Sequence, residues 1–402
     1  MRKGEIMKKN ISDKIRLNNG YEIPCFYIGP SHPAWSNKAI NDGKVDGTGF
    51  TTVDVSGATI EDVMYAALEC GVRGFDTGAR YGTEEDIGQF FRSCGLPREE
   101  LFVTTKVNNI MQGYDNTMID FENSMKKLGL DYVDVYMIHC PIPQRGLYVD
   151  TWRAFEEIYR SGRAKAIAVS NFNIQHFYDL AEVSDIVPAI NQIEQHPFYV
   201  QENLKAYEKK HGIVSMSYSP LGQGRFAKDP RLAWMAEKYG KSIAQIILRW
   251  HVEKGFIPVT RSSSPKRMKE NAEIFDFELE PADMAFLETL NHHDRVWHMP
   301  DRFPGTHAHV HVEEVFRKSV EEELNAPDVP AEKREEIHNS IEKLLGYQDI
   351  DGTKDYIIWC FTHAVAIYGP RADIEDCACE MARLHAKHIV RGLAGLRKPT
   401  EP

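Results

Sequence analysis

Cysteine is scarce. There are seven in 402 residues, at positions 25, 70, 94, 140, 360, 377 and 379, odd in number and irregularly spaced. They read as reduced thiols, not as a disulfide framework. Long apolar runs are missing as well. The longest, Tyr356 to Tyr368, carries His363 and falls short of the roughly 20 residues a membrane helix needs. Basic excess is absent: 48 Lys and Arg stand against 59 Asp and Glu, a net charge of −11. Such a chain is a poor generic partner for nucleic acid or an anionic membrane. The opening residues, MRKGEIMKKNISDKIRL, are basic but have no apolar core, so no secretory signal is visible. Together these absences predict a cytoplasmic protein that binds neither nucleic acid nor membrane. Compositional bias is lacking too, and 42% hydrophobic residues suffice for a large core.

What is present is alternation. Strand-like runs fall near 25–29, 72–75, 101–105, 132–138, 165–170, 188–193, 213–218 and 256–260. Helical patterns lie between them. In 60–70, Ile60, Val63, Met64, Ala67 and Leu68 share one face, and 115–128, 149–159 and 242–252 are similar. Eight strand–helix repeats without an open-sheet fingerprint predict a closed (β/α)8 TIM barrel of the α/β class. A leading β-hairpin, RLNNGYEIP, turns at Asn19-Gly20. The stretch 30–57 has four glycines and no periodicity, and reads equally as a lid or as a disordered insertion.

The barrel pattern ends near 290, and 291–310 reads as an extended tail. Helical patterns follow near 312–325, 331–345, 353–368 and 372–394. We therefore draw two domains, a barrel over 1–310 and an all-helical C-terminal module over 311–402. One apolar face of the module holds Ile337, Ile341, Leu344 and Leu345; another holds Ile357, Ile358, Phe361 and Val365. A small bundle is marginal by itself. Its faces therefore suit homo-oligomer assembly or a cover for the barrel mouth.

Polar residues stand at or near the strand ends: Asp76, Lys106, His139, Asn171, Gln192, Tyr218 and Arg261. Each alone reads as an ordinary strand-end residue. Together they fall on the barrel face where active sites are built.

At these residues the sequence resembles the aldo-keto reductase superfamily over about 15–300. GFDTGARYGTEEDIG resembles the family's motif with its catalytic Asp76 and Tyr81, LFVTTK ends on the matching Lys106, and YVDVYMIHCP carries His139. VSNF supplies Ser170 and Asn171, NQIEQHP supplies Gln192, and SYSPLGQG supplies Tyr218, Ser219 and Leu221. RSSSPKRMKEN supplies Arg261, Ser262, Arg267, Glu270 and Asn271. The resemblance implies NADPH as cofactor and a small carbonyl compound as substrate. It makes Tyr218 the platform for the nicotinamide, with Ser170, Asn171 and Gln192 on its carboxamide. Arg267 then serves the 2′-phosphate, with Arg261 and Ser262 nearby, and Glu270 and Asn271 serve adenine. Cys140, where the family often has Trp, and Trp297 are expected at the substrate pocket. Gly29-Pro30 replaces the family's early Gly-Thr.

The chemistry also follows from the residue types. Carbonyl reduction needs a hydride donor, which no side chain is, and a proton donor. Free Tyr titrates near about 10, and a neighbouring Lys106 ammonium lowers that value. Asp76 would keep Lys106 charged, and a neutral His139 would orient the carbonyl. Two other classes compete. One is a regulatory NADPH-binding relative acting as a redox-sensing partner protein. The other is a Schiff-base aldolase at Lys106, which Asp76 disfavours. Gly222-Gln-Gly224 lacks the surrounding βαβ unit of a dinucleotide fingerprint. His307, His309 and His311 alternate as ligands on a strand would, but no zinc spacing is matched there or at Cys360, His363, Cys377, Cys379, His385 and His388, so no metal is expected.

Overall fold

The computed structural model describes residues 10–30, 58–262, 264–296, 308–345, 374–394 and 396. They fall into two compact units. One comprises the described residues up to 141 and 149–296, and the other 142–148 together with those from 308 onward.

The first unit is a closed parallel barrel. Its hairpin pairs β1 (Lys14–Arg16) with β2 (Glu22–Pro24) antiparallel. The barrel strands are β3 (Tyr27–Pro30), β4 (Gly74–Asp76), β5 (Phe102–Val107), β6 (Val133–Ile138), β7 (Ala164–Ser170), β8 (Ile190–Glu194), β9 (Val214–Tyr218) and β10 (Ile257–Ser262). Each pairs with its successor, and β10 closes on β3 with Val259 opposite Tyr27. All eight strands lie where the apolar runs predict them. The hairpin residues Leu17 and Ile23 are buried in one cluster with Phe102, Val135, Ala189 and Ile257, so they plug the end of the barrel where the strands begin.

The helices pack outside. Ile60–Glu69 starts at a capping box of Thr59 and Asp62, and Ile243–Glu253 at one of Ser242 and Gln245. Tyr114–Leu128 and Tyr148–Arg160 match the predicted patterns. Glu84–Ser93 packs closely on the end of Tyr114–Leu128, because a Cβ on Gly88 would meet Leu128 O at 2.5 Å. Between barrel and helices, Phe121, Tyr136, Phe155 and Trp152 form a fully buried aromatic row, with Tyr136 and Phe155 stacked at 4.3 Å. Each such side chain contributes roughly 1.5–3 kcal/mol by burial.

In the second unit Ala308–Leu324 packs along Ile374–Ala394. Phe316, Val320 and Leu324 meet Ala378, Ala382, Ala386 and Val390, and the alanines, one per turn, allow close approach. Ile337 and Ile341 of Arg334–Leu345 join that core. The first of these helices begins at Ala308, ahead of the boundary drawn at 310. His309 and His311 therefore lie in a helix and not on a strand. The patterns at 31–57 and 353–368, the side chains of Leu344 and Leu345, and Trp297 and His307 lie outside the described residues. No described helix is long and apolar enough to cross a membrane.

Candidate active site

The site grows from the strand ends. β4 ends on Asp76, and the chain turns through a short 3-10 segment, Ala79–Tyr81, that carries Tyr81 over the mouth. Gly78 makes room for this, since a Cβ there would stand 3.3 Å from Lys106 Cβ. Just beyond the turn, Thr77 and Thr83 hydroxyls meet at 3.0 Å and Glu84 accepts from Thr105 Oγ1 at 2.7 Å, tying the turn to β5.

Lys106, the next-to-last residue of β5, is fully buried. Its Nζ donates to Asp76 Oδ2 at 2.6 Å and to Thr77 O at 2.9 Å, and lies 5.1 Å from the Tyr81 ring centroid. Burial pushes the ammonium's pKa down, but Asp76 and Tyr81 together outweigh it and hold it above the usual lysine value. Tyr81 OH lies 3.1 Å from Nε2 of His139, which directly follows β6, and the two rings meet edge to face. Burial first, then the charges of Lys106 and Arg80, hold His139 well below the ordinary histidine range, so its imidazole is neutral. Its Nδ1 is buried with no hydrogen-bond partner among the described residues.

The second half of the mouth is one connected network. Gln192 Nε2, in β8, donates to Asp76 Oδ1 at 2.9 Å, which leaves the amide oxygen as its acceptor face. Ser170 Oγ donates to Gln192 O at 2.7 Å. Asn171, in the left-handed region at φ 63°, donates to His139 O at 3.0 Å and accepts from Tyr218 OH at 2.8 Å. The structure thus brings together Asp76, Tyr81, Lys106, His139, Ser170, Asn171, Gln192 and Tyr218. Cys140 is buried beside His139 in sequence, and its carbonyl accepts from Gln112 Nε2 at 2.6 Å.

The remaining predicted residues lie after β9, on β10 and on the helix that follows it. Ser219 and Leu221 follow β9. Arg261 and Ser262 end β10, and Ser264 caps the helix Pro265–Ala272. Arg267 is exposed on that helix, Glu270 is half-buried and Asn271 is buried. An exposed Arg261, Lys266 and Arg267 around a helix start suit an anion.

Sequence reasoning missed Glu194 and Arg295. Glu194 sits inside the quoted NQIEQHP motif, two residues beyond Gln192. Arg295 lay in the supposed tail, and nothing local marks it as buried.

A model of the aldo/keto reductase family matches residues 47–292. Glyoxal reductase of Bacillus subtilis is 40% identical over 295 residues, covering 73% of this chain and 99% of that protein. The crystal structure of an aldo/keto reductase from Brucella melitensis superposes with a TM-score of 0.61 at 39% identity, covering 69% of this chain and 99% of that one. That of a Bombyx mori aldo-keto reductase in complex with NADP gives 0.63 at 35% identity, covering 71% and 95%.

Proposed function

The chain belongs to the aldo/keto reductase family, and on that premise we propose that it reduces an aldehyde or ketone to the alcohol with NADPH, Tyr81 supplying the proton. One observation carries this reading: Lys106, held charged by Asp76, stands at the ring of a tyrosine whose hydroxyl meets a neutral histidine.

When bound, NADPH supplies the hydride that no side chain can. The residues present fit it. Tyr218 offers a flat ring at the mouth, Gln192 an amide oxygen for a carboxamide N–H, and Ser170 and Asn171 flank it. Arg267, with Arg261 and Ser262, suits a 2′-phosphate through charge-assisted bonds, and Glu270 and Asn271 suit adenine. The silkworm relative's NADP complex supports the same choice of cofactor.

The substrate carbonyl would lie between Tyr81 and His139. The neutral imidazole donates to the oxygen and fixes its direction, while Tyr81 transfers its proton as negative charge develops there. Lys106 stabilises the tyrosinate left behind, and Asp76 keeps Lys106 in place. Cys140 borders the pocket in this reading, and a small side chain there leaves it roomier than a Trp would.

The test is NADPH oxidation by the purified chain, followed by absorbance with a panel of aldehydes and ketones. Glyoxal comes first, after the name of the Bacillus relative. No oxidation with any of them would refute the reading. Residues 311–402 we propose as a separate helical domain serving self-association. Truncation after 310 should then lower the number of chains per particle in light scattering, and an unchanged number would refute that role.

A further inference from the structure

β8 carries two neighbouring amides on opposite faces of the strand. Gln192 turns into the barrel and meets Asp76. Asn191, one residue earlier, turns outward to the helices, is fully buried and plays no part in the chemistry above. Its Nδ2 donates to Phe172 O at 3.0 Å, and its Oδ1 accepts the Phe172 N–H at 3.4 Å. The pairing of β7 with β8 ends where Ser170 lies opposite Gln192, so Phe172 is beyond the ladder. Phe172 is itself fully buried, and its backbone groups need protein partners. The Asn191 amide supplies them in place of a neighbouring strand.

Asn191 is held in turn. Its Nδ2 also donates to Oε1 of Glu208 at 2.7 Å, and Glu208 is a buried carboxyl on the outer helix Glu202–His211. The other carboxyl oxygen accepts from Ser215 Oγ in β9. With acceptors at both Glu208 and Phe172 O, only one orientation of the Asn191 amide satisfies its hydrogen bonds. Between Ser170 and Phe172 stands Asn171, in the left-handed region at φ 63°. A residue with a side chain stays there only where its surroundings fix it. Asn171 donates to His139 O at 3.0 Å and accepts from Tyr218 OH at 2.8 Å, so a shift of this turn reaches both. We infer that Asn191, oriented by Glu208, is a positioning residue that holds the turn at Asn171 by gripping the backbone of Phe172. It therefore acts on the nicotinamide end of a bound cofactor and not on the adenosine end. This rests on the reading of Ser170, Asn171 and Gln192 as the carboxamide site.

The test uses the full chain with Asn191→Ala, Glu208→Ala and Glu208→Gln, and two probes. NADPH carries both ends of the cofactor, whereas adenosine 2′,5′-bisphosphate carries only the adenosine end. Release of the Phe172 backbone predicts about tenfold weaker NADPH binding in Asn191→Ala. It also predicts a kcat at least about tenfold lower, since hydride transfer needs the reacting atoms held in place. Affinity for the bisphosphate should be unchanged. Glu208→Ala should show part of both losses, and Glu208→Gln, which keeps an oxygen for Asn191 Nδ2, should recover them. Unaltered NADPH affinity and kcat in Asn191→Ala, or equal weakening toward both probes, would overturn the inference. So would a Glu208→Gln chain that behaves as Glu208→Ala does. Should Asn191→Ala fail to fold, the two Glu208 variants are read with the same probes against the same criteria. A wild-type chain that binds NADPH but reduces no carbonyl would defeat the proposed activity alone, and the split between the probes would still decide the role of Asn191.

Discussion

Lys106 Nζ stands 2.6 Å from Asp76 Oδ2, with the lysine fully buried and the carboxylate nearly so. A pair so placed is costly to break, because the survivor keeps its desolvation cost without its partner. Asp76 also receives Gln192 Nε2, so a single carboxylate joins the proton-donating side of the site to the side proposed for the cofactor.

Replacing that carboxylate isolates its contribution. Asp76→Asn should lower stability by about 3–5 kcal/mol, the cost of an unpaired buried charge, and lower kcat by at least about a hundredfold. Urea melts and steady-state kinetics on the same preparation read both. A variant with native stability and native kcat would show that Lys106 needs no counter-charge.

Arg267 is exposed, so its contact with a 2′-phosphate is worth the lower end of the range for charge-assisted bonds. Arg267→Ala should weaken NADPH binding by about tenfold, equivalent to roughly 1.5 kcal/mol, and leave NADH binding as it was. Fluorescence titration of both cofactors measures this, and equal effects on the two would remove Arg267 from the phosphate site.

Glu208, on the helix Glu202–His211, is buried, and burial pushes its carboxyl up to about 7 despite hydrogen bonds from Ser215 and Asn191. The unfolded chain ionises this group near its ordinary value of about 4.3, whereas the folded chain holds the proton up to its raised value. Stability should therefore fall as pH rises through that window, by on the order of 3 kcal/mol. Glu208→Gln, which is neutral throughout, should flatten the decline. Urea melts at about pH 5 and about pH 8 test it, and an unchanged slope in the variant would place the pH dependence elsewhere.

The barrel was legible because buried parallel strands read as continuous apolar runs that stop at a polar residue, as YVDVYMI stops at His139. Helices were less so. Glu202–His211 buries only Leu204 and Glu208, and Pro265–Ala272 only Met268, Asn271 and Ala272, so neither shows an apolar stripe. Asp76, Lys106 and His139 could be read from strand ends because the barrel's topology brings those ends together, whereas Tyr81 came from the resemblance of its motif. Arg295 could not, since its partner Glu194 lies far back in the chain and neither neighbourhood announces the other. Nor could the left-handed backbone at Asn171, whose side chain bonds His139 O and Tyr218 OH from distant parts of the chain.

The central claim is that the Tyr81 hydroxyl, set between Lys106 and His139, gives up the proton. Tyr81→Phe removes that hydroxyl and little else, so the direct measurement is carbonyl-dependent NADPH oxidation by this variant beside a titration of NADPH binding. The account predicts turnover lowered by at least about a thousandfold, in the range for loss of a general acid, with NADPH affinity within about twofold of wild type. Turnover close to wild type in a variant that binds NADPH normally would contradict it.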